Sequence, residues 1–132
     1  MGLNSHNTKG RLTRRHWLQT GVALAASGPA LYAGAMPSDT VWKLDGAGGK
    51  PAAFAKLPDV ETVWALAAGA DGTLYADTSP AGKVFAIDKG GKARELFNTE
   101  DKRVTAITVT SDGAVWFGTS ERALVFRYDP KT

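Results

Sequence analysis

The sequence predicts an all-β protein assembled from repeated four-stranded antiparallel units, and three observations carry that prediction. From Pro37 onward, short apolar runs alternate with Gly, Asp, Ser and Pro, the texture of many short strands joined by turns. Residues 63–88 align without a gap on residues 104–129, a period of 41 residues with nine of 26 pairs identical. A fixed period of this length marks stacked supersecondary units. Each copy also carries an Asp-Gly pair between two β-rich runs, Asp71-Gly72 and Asp112-Gly113, the strongest short-range hairpin signal.

Taken in order, strands are expected near 40–45, 52–56, 62–68, 73–77, 83–88, 93–97, 103–109, 114–118 and 123–128. That makes about two and a quarter units of four. The first of these strands, Thr40–Asp45, matches Lys83–Asp88 and so begins a third, partial copy. The Asp-Gly pairs predict type I′ turns, in which both central residues take positive φ. Within a unit both faces carry bulk: Leu74 and Ala76 oppose Tyr75, and Val115 and Phe117 oppose Trp116. A strand apolar on both faces lies between two layers. Blades of a β-propeller meet that condition, whereas a β-sandwich needs no fixed period. Trp64, Tyr75, Phe85, Trp116, Phe117, Phe126 and Tyr128 are accordingly expected in the core, each contributing roughly 1.5–3 kcal/mol when buried. Propellers typically close with about four to eight blades, so residues 36–132 read as a partial, truncated β-propeller. Exposed end blades then predict self-association, and a closed ring of several copies is the alternative.

The repeats resemble two propeller families. Ser111-Asp112-Gly113-Ala114-Val115-Trp116-Phe117-Gly118-Thr119 resembles the propeller repeat of two-component regulators, and Asp71-Gly72-Thr73-Leu74-Tyr75-Ala76-Asp77-Thr78 is similar to NHL-type repeats. The resemblance implies a fold rather than a reaction.

Residues 1–35 differ in kind. Lys9, Arg11, Arg14 and Arg15 lie there with no acid, and both histidines, His6 and His16, lie there too. Of 16 Lys and Arg and 13 Asp and Glu in the chain, the part from Met36 therefore keeps 12 bases against all 13 acids. Its net charge near −1 removes the clustered cationic surplus that nucleic-acid binding needs. Thr13-Arg14-Arg15-His16-Trp17-Leu18-Gln19 resembles the twin-arginine export motif, with Gln19 where that family often has Lys. Thr20–Ala35 follows as a weakly apolar run interrupted by Gly28-Pro29 and ending in Ala33-Gly34-Ala35, an A-x-A processing site with Ala33 and Ala35 as its determinants. The alternative is a buried or amphipathic N-terminal helix. The run is short of the ~20 apolar residues of a membrane span, so the membrane is expected to be met only through this signal. Residues 1–35 thus read as a signal peptide, and the protein as periplasmic or secreted. The resemblance implies export in the folded state.

No constellation from Met36 onward amounts to a catalytic or metal site. The chain has no Cys, and with no His in this part, acid–base chemistry falls to carboxylates, Lys or Tyr. No cofactor follows from the sequence. In a propeller, ligands meet the loops entering each inner strand and those joining second to third strands. Those loops place Asp77, Thr78, Ser79, Arg103, Thr119, Ser120 and Arg122 as candidate ligand-binding residues, with Asp59, Glu61, Glu100, Asp101, Lys102 and Glu121 nearby. The competing reading is that these are solvated loop residues. Asp77 stands out because it replaces the Gly118 of the other copy; a carboxylate at a loop mouth is a candidate cation ligand, though calcium takes about six to eight oxygens. Two functions remain open. One is an exported binding or scaffold module for a small molecule, glycan or protein. The other is the N-terminal piece of a periplasmic propeller enzyme, of lyase, lactonase or quinoprotein type, with catalytic residues downstream. Streptogramin lyases and lactonases resemble the pattern loosely; the former rely on histidine, absent after residue 35.

Overall fold

The computed structural model describes residues 22–46 and 49–132. Within them the chain forms β1 (Val22–Ser27), β2 (Ala30–Ala35), β3 (Thr40–Asp45), β4 (Ala52–Lys56), β5 (Thr62–Ala68), β6 (Leu74–Ser79), β7 (Lys83–Ile87), β8 (Ala93–Asn98), β9 (Val104–Val109), β10 (Val115–Thr119) and β11 (Val125–Tyr128). These make three antiparallel sheets, ordered β1-β2-β3-β4, β5-β6-β7-β8 and β9-β10-β11. The first strands β1, β5 and β9 neighbour one another from sheet to sheet, so the sheets are successive blades fanned about their inner strands.

Burial follows from that stacking. The middle blade lies between two others, and β6 is buried along nearly its whole length, with Leu74, Ala76 and Thr78 on one face and Tyr75 and Asp77 on the other. One core, containing Val41, Leu57, Val63, Leu66, Leu74, Phe85 and Ile87, fills the space between the first and second blades. Another, with Tyr75, Val84, Val104, Val115 and Phe117, lies between the second and third. Of the aromatics expected inside, Tyr75, Phe85 and Phe117 are buried, while Trp64 and Trp116 remain over a third exposed. Trp64 is the extra residue of a β-bulge, since the register passes from Val63↔Thr78 to Ala65↔Asp77, and a bulge re-aims its side chain. Trp116 lies on the open face of the third blade with Arg127 over its ring, 5.8 Å from the centroid.

Two expectations change. The strand count rises from nine to eleven among the described residues, because Val22–Ala35, expected to be the apolar part of a signal, forms the inner hairpin of the first blade. The Gly28-Pro29 interruption is its turn: Ser27 pairs with Ala30, and Gly28 takes φ +56°, the first-central-position glycine that two-residue hairpins use. The Asp-Gly turns are also not type I′. Only the glycines have positive φ, +85° at Gly72 and +88° at Gly113. The bonds Gly113 N–H to Thr110 O, 2.9 Å, and Thr110 N–H to Ala114 O, 2.9 Å, describe a turn closed by a glycine bulge. Asp112 stays at ordinary φ because its carboxylate accepts from the Ala114 N–H, 3.2 Å, as Asp71 does from Thr73, 3.0 Å.

Gly82 and Gly113 separate conformational strain from packing. Both have positive φ, but a Cβ at Gly113 would meet nothing within 4 Å, whereas one at Gly82 would lie 1.9 Å from the Asp101 carbonyl oxygen. Gly113→Ala is expected to cost about 1–2 kcal/mol, the left-handed penalty alone. Gly82→Ala should cost clearly more, because the 99–101 segment must also move. Urea unfolding of the two variants measures the difference; equal losses would contradict the packing assigned to Gly82.

Candidate functional site

The antiparallel order puts the turns joining second to third strands, and the connections leading into each next blade, at one end of the fan. There the residues 99–103 connection is held from both sides. Thr99 donates its N–H to Gly82 O, 2.9 Å, and its hydroxyl is within hydrogen-bond reach of the carbonyls of Gly82 and Asp101. On the other side the buried Asp101 carboxylate accepts from the Thr119 hydroxyl and from Arg122 Nε at 2.6 Å. The Thr119 hydroxyl accepts in turn from Leu124 N–H, 3.3 Å, and Ser120 N–H donates to Arg103 O, 3.3 Å. Arg122 reaches outward to Glu100 at 3.5 Å. The Thr119 hydroxyl and then the Arg122 guanidinium hold the Asp101 carboxyl below the usual carboxylate range.

Of the residues expected to bind a ligand, this network joins Thr119 and Arg122 through Asp101 and brings the backbones of Arg103 and Ser120 together, with both of those residues exposed. Asp101 is the organising residue, and sequence reasoning left it out of the set. Its signal was present only as a departure from the repeat: one period earlier the positions of Asp101 and Arg122 hold Val60 and Ala81, and Val60 packs on the core instead. The equivalent Thr78 hydroxyl donates to Lys83 O, 2.9 Å, within its own turn.

Asp77 and Thr78 do not join that rim. Both are fully buried in β6, and Ser79 is half-buried at its end. Asp77 is not at a loop mouth: its Oδ1 accepts from the Ala65 N–H, 2.6 Å, at the point where the Trp64 bulge breaks the ladder, while Oδ2 is buried without a partner. The carboxyl replaces a ladder acceptor, which explains an acid at this inner position. Burial raises its pKa to about 8, with the Ala65 bond opposing the shift. Among the described residues no three His, Cys, Asp or Glu side chains group as a metal site. Of the targeting residues, Arg14 and Arg15 lie outside the described residues, whereas Ala33 and Ala35 lie in β2. At the opposite end of the fan, Ala26–Gly28, Ala68–Ala70 and Val109–Ser111 line an open hollow of about 360 Å³, which none of the expected residues reaches.

The two-component regulator propeller model matches residues 100–121, the stretch holding the Asp101 connection and the Asp112-Gly113 turn. No curated protein matches the chain. Solved structures similar to the chain include the following three. A nidogen/laminin complex has TM-score 0.73 at 16% identity, covering 83% of this chain and 44% of the other. A streptogramin B lyase has TM-score 0.64 at 19% identity, covering 84% and 41%. A catalytically inactive histidine-to-alanine variant of virginiamycin B lyase from Staphylococcus aureus, with quinupristin, has TM-score 0.65 at 18% identity, covering 98% and 45%. The chain thus spans less than half the length of the structures it matches. At these identities the likeness shows the fold, a β-propeller repeat protein.

The buried Asp77 gives a pH test. Its folded pKa is raised to about 8 above the ordinary 3.8, so between those values the native state holds a proton that the unfolded chain has lost. Wild-type stability should then fall as pH rises through that window, by at most ~1.4 kcal/mol per unit. Asp77→Asn keeps an acceptor for Ala65 and lacks the slope, so it should gain on the wild type steadily from pH 4 to pH 8. Parallel stability profiles for the two would contradict the burial of an uncompensated carboxyl.

Proposed function

We propose that the chain supplies blades of an exported β-propeller binding module, periplasmic or secreted, that presents its Asp101 rim to a ligand. The observation that carries this reading is the clamp itself. A buried carboxylate, a hydroxyl and a guanidinium fix two loops from different connections, with Arg103 and Ser120 exposed on the same loops. Loops held rigid before a ligand arrives lose less entropy on binding, and exposed polar loop residues on a rigid scaffold are where propeller folds carry function. A small molecule, a glycan or a protein fits such a rim. The export half of the reading rests on Arg14-Arg15, the apolar run and Ala33-Gly34-Ala35.

A second reading is favoured by the lyases among the structural neighbours: the chain would be part of a propeller enzyme whose chemistry lies in further blades. The neighbours' lengths, more than twice the span matched here, leave room for such blades.

Export is tested by changing Arg14 and Arg15 together to Lys. Lys lacks the planar fork of the guanidinium, so the double variant should accumulate in the cytoplasmic fraction while the wild type is exported; normal export of the variant would end this reading. The rim is tested on a glycan array with purified protein, wild type against Arg103→Ala and Ser120→Ala. Loss of glycan signals in the variants supports the rim as a glycan site, and unchanged signals would move binding elsewhere on the propeller.

A further inference from the structure

The segment Val22–Ala35 carries two assignments that one molecule cannot satisfy together. As sequence it is the apolar part of an export signal, with Ala33 and Ala35 as the residues a processing peptidase reads. As structure it is the inner hairpin of the first blade. A peptidase that reads alternate side chains binds its substrate stretched out, with a free backbone edge. In β2 neither edge is free. Ala33 pairs with Leu24 on one side and Trp42 on the other, Gly34 with Ala23 and Val41, and Ala35 with Val22.

Packing adds to the pairing. Ala33 is buried, and Gly34 sits so close to the second blade that a Cβ there would lie 2.5 Å from Val63 Cγ1. Ala23, Ala30 and Tyr32 belong to the same core as Val41, Ala55 and Val63, and the rings of Tyr32 and Phe54 lie 5.0 Å apart. Hydrolysis of the Ala35–Met36 amide, with water supplying hydroxyl to the Ala35 carbonyl and hydrogen to the Met36 nitrogen, would detach β1 and β2 from this core. β3 would then present an unpaired edge, and Val41 and Val63 would lose their cover.

Resting on the export reading above, we infer that the docked β1–β2 hairpin masks the chain's own processing site, so that cleavage after Ala35 and completion of the first blade exclude each other. The chain has two outcomes: processed before the hairpin docks, with half of the first blade removed, or docked first and retained uncut.

Gly34 makes the idea testable, because the middle position of A-x-A carries no sequence demand while the fold demands glycine there. The full chain and a synthetic peptide of residues 10–45 are incubated with a bacterial leader peptidase in detergent micelles, and products starting at Met36 are followed by mass. The wild-type peptide should be cut readily and the folded chain slowly. Gly34→Leu should leave the peptide's rate unchanged and raise the full chain's rate at least about fivefold, since overpacking against Val63 favours the undocked state. A second variant guards against simple unfolding. Leu31→Cys with Leu44→Cys joins β2 to β3 at a paired position in a chain without other cysteines. Its oxidised form should resist cleavage, and reduction should restore the wild-type rate. Equal rates for folded chain and peptide, or for the oxidised and reduced pair, would overturn the masking. An uncut peptide would instead remove the processing site itself, and with it the export reading.

Discussion

Both faces of the middle sheet are apolar, and a sheet of that kind is stable only between two others. The rest of the structure depends on this constraint. Leu74, Ala76, Phe85 and Ile87 require the first blade, and Tyr75, Val84 and Ala86 require the third. The outer blades answer with unequal material. The third brings large side chains, its Phe117 and Phe126 rings stacked 5.2 Å apart with Phe97 tilted against both. The first brings a β1–β2 hairpin rich in alanine, and Gly34, with no side chain, lets β2 approach Val63 of β5 closely.

The two buried acids show how position decides chemistry. Asp101 is charged and held by a hydroxyl and a guanidinium, so it ties together two loops of the rim. Asp77 faces the gap between blades with one oxygen satisfied and the other bare, so burial drives it toward the neutral form. The first fixes the two loops of the rim against each other; the second repairs a ladder broken by a bulge.

The bulges recur with the repeat and are part of the same adaptation. Trp64 in β5 and the equivalent Thr105 in β9 are the extra residues of the inner strands, and Phe54 in β4 and Leu96 in β8 those of the outer ones. Bulges bend a strand and increase its twist, which helps four strands fan from a crowded axis to a wide rim. Closely packed turn glycines then fit blade to blade, as where a Cβ on Gly91 would lie 2.1 Å from the Phe54 carbonyl oxygen.

By itself the sequence determined the all-β class, the strands from Thr40 to Tyr128 within a few residues, and the assignment to propeller blades. Two-faced apolarity, a 41-residue period and Asp-Gly turns are local or periodic properties and are legible without coordinates. It also placed Thr119 and Arg122 near a rim. Tertiary structure alone decided that Asp101 joins them, since partners 18 and 21 residues apart leave no spacing to recognise. It decided too that Asp77 is interior, because a bulge shifts register without any residue that announces it. The same holds for Val22–Ala35: an uncharged run dominated by Ala, with Ser27 its only polar side chain apart from the Tyr32 hydroxyl, has no polar alternation to mark a strand. Whether such a run forms a hairpin or is read as a leader depends on the surface available to cover it, here Val41, Ala55 and Val63.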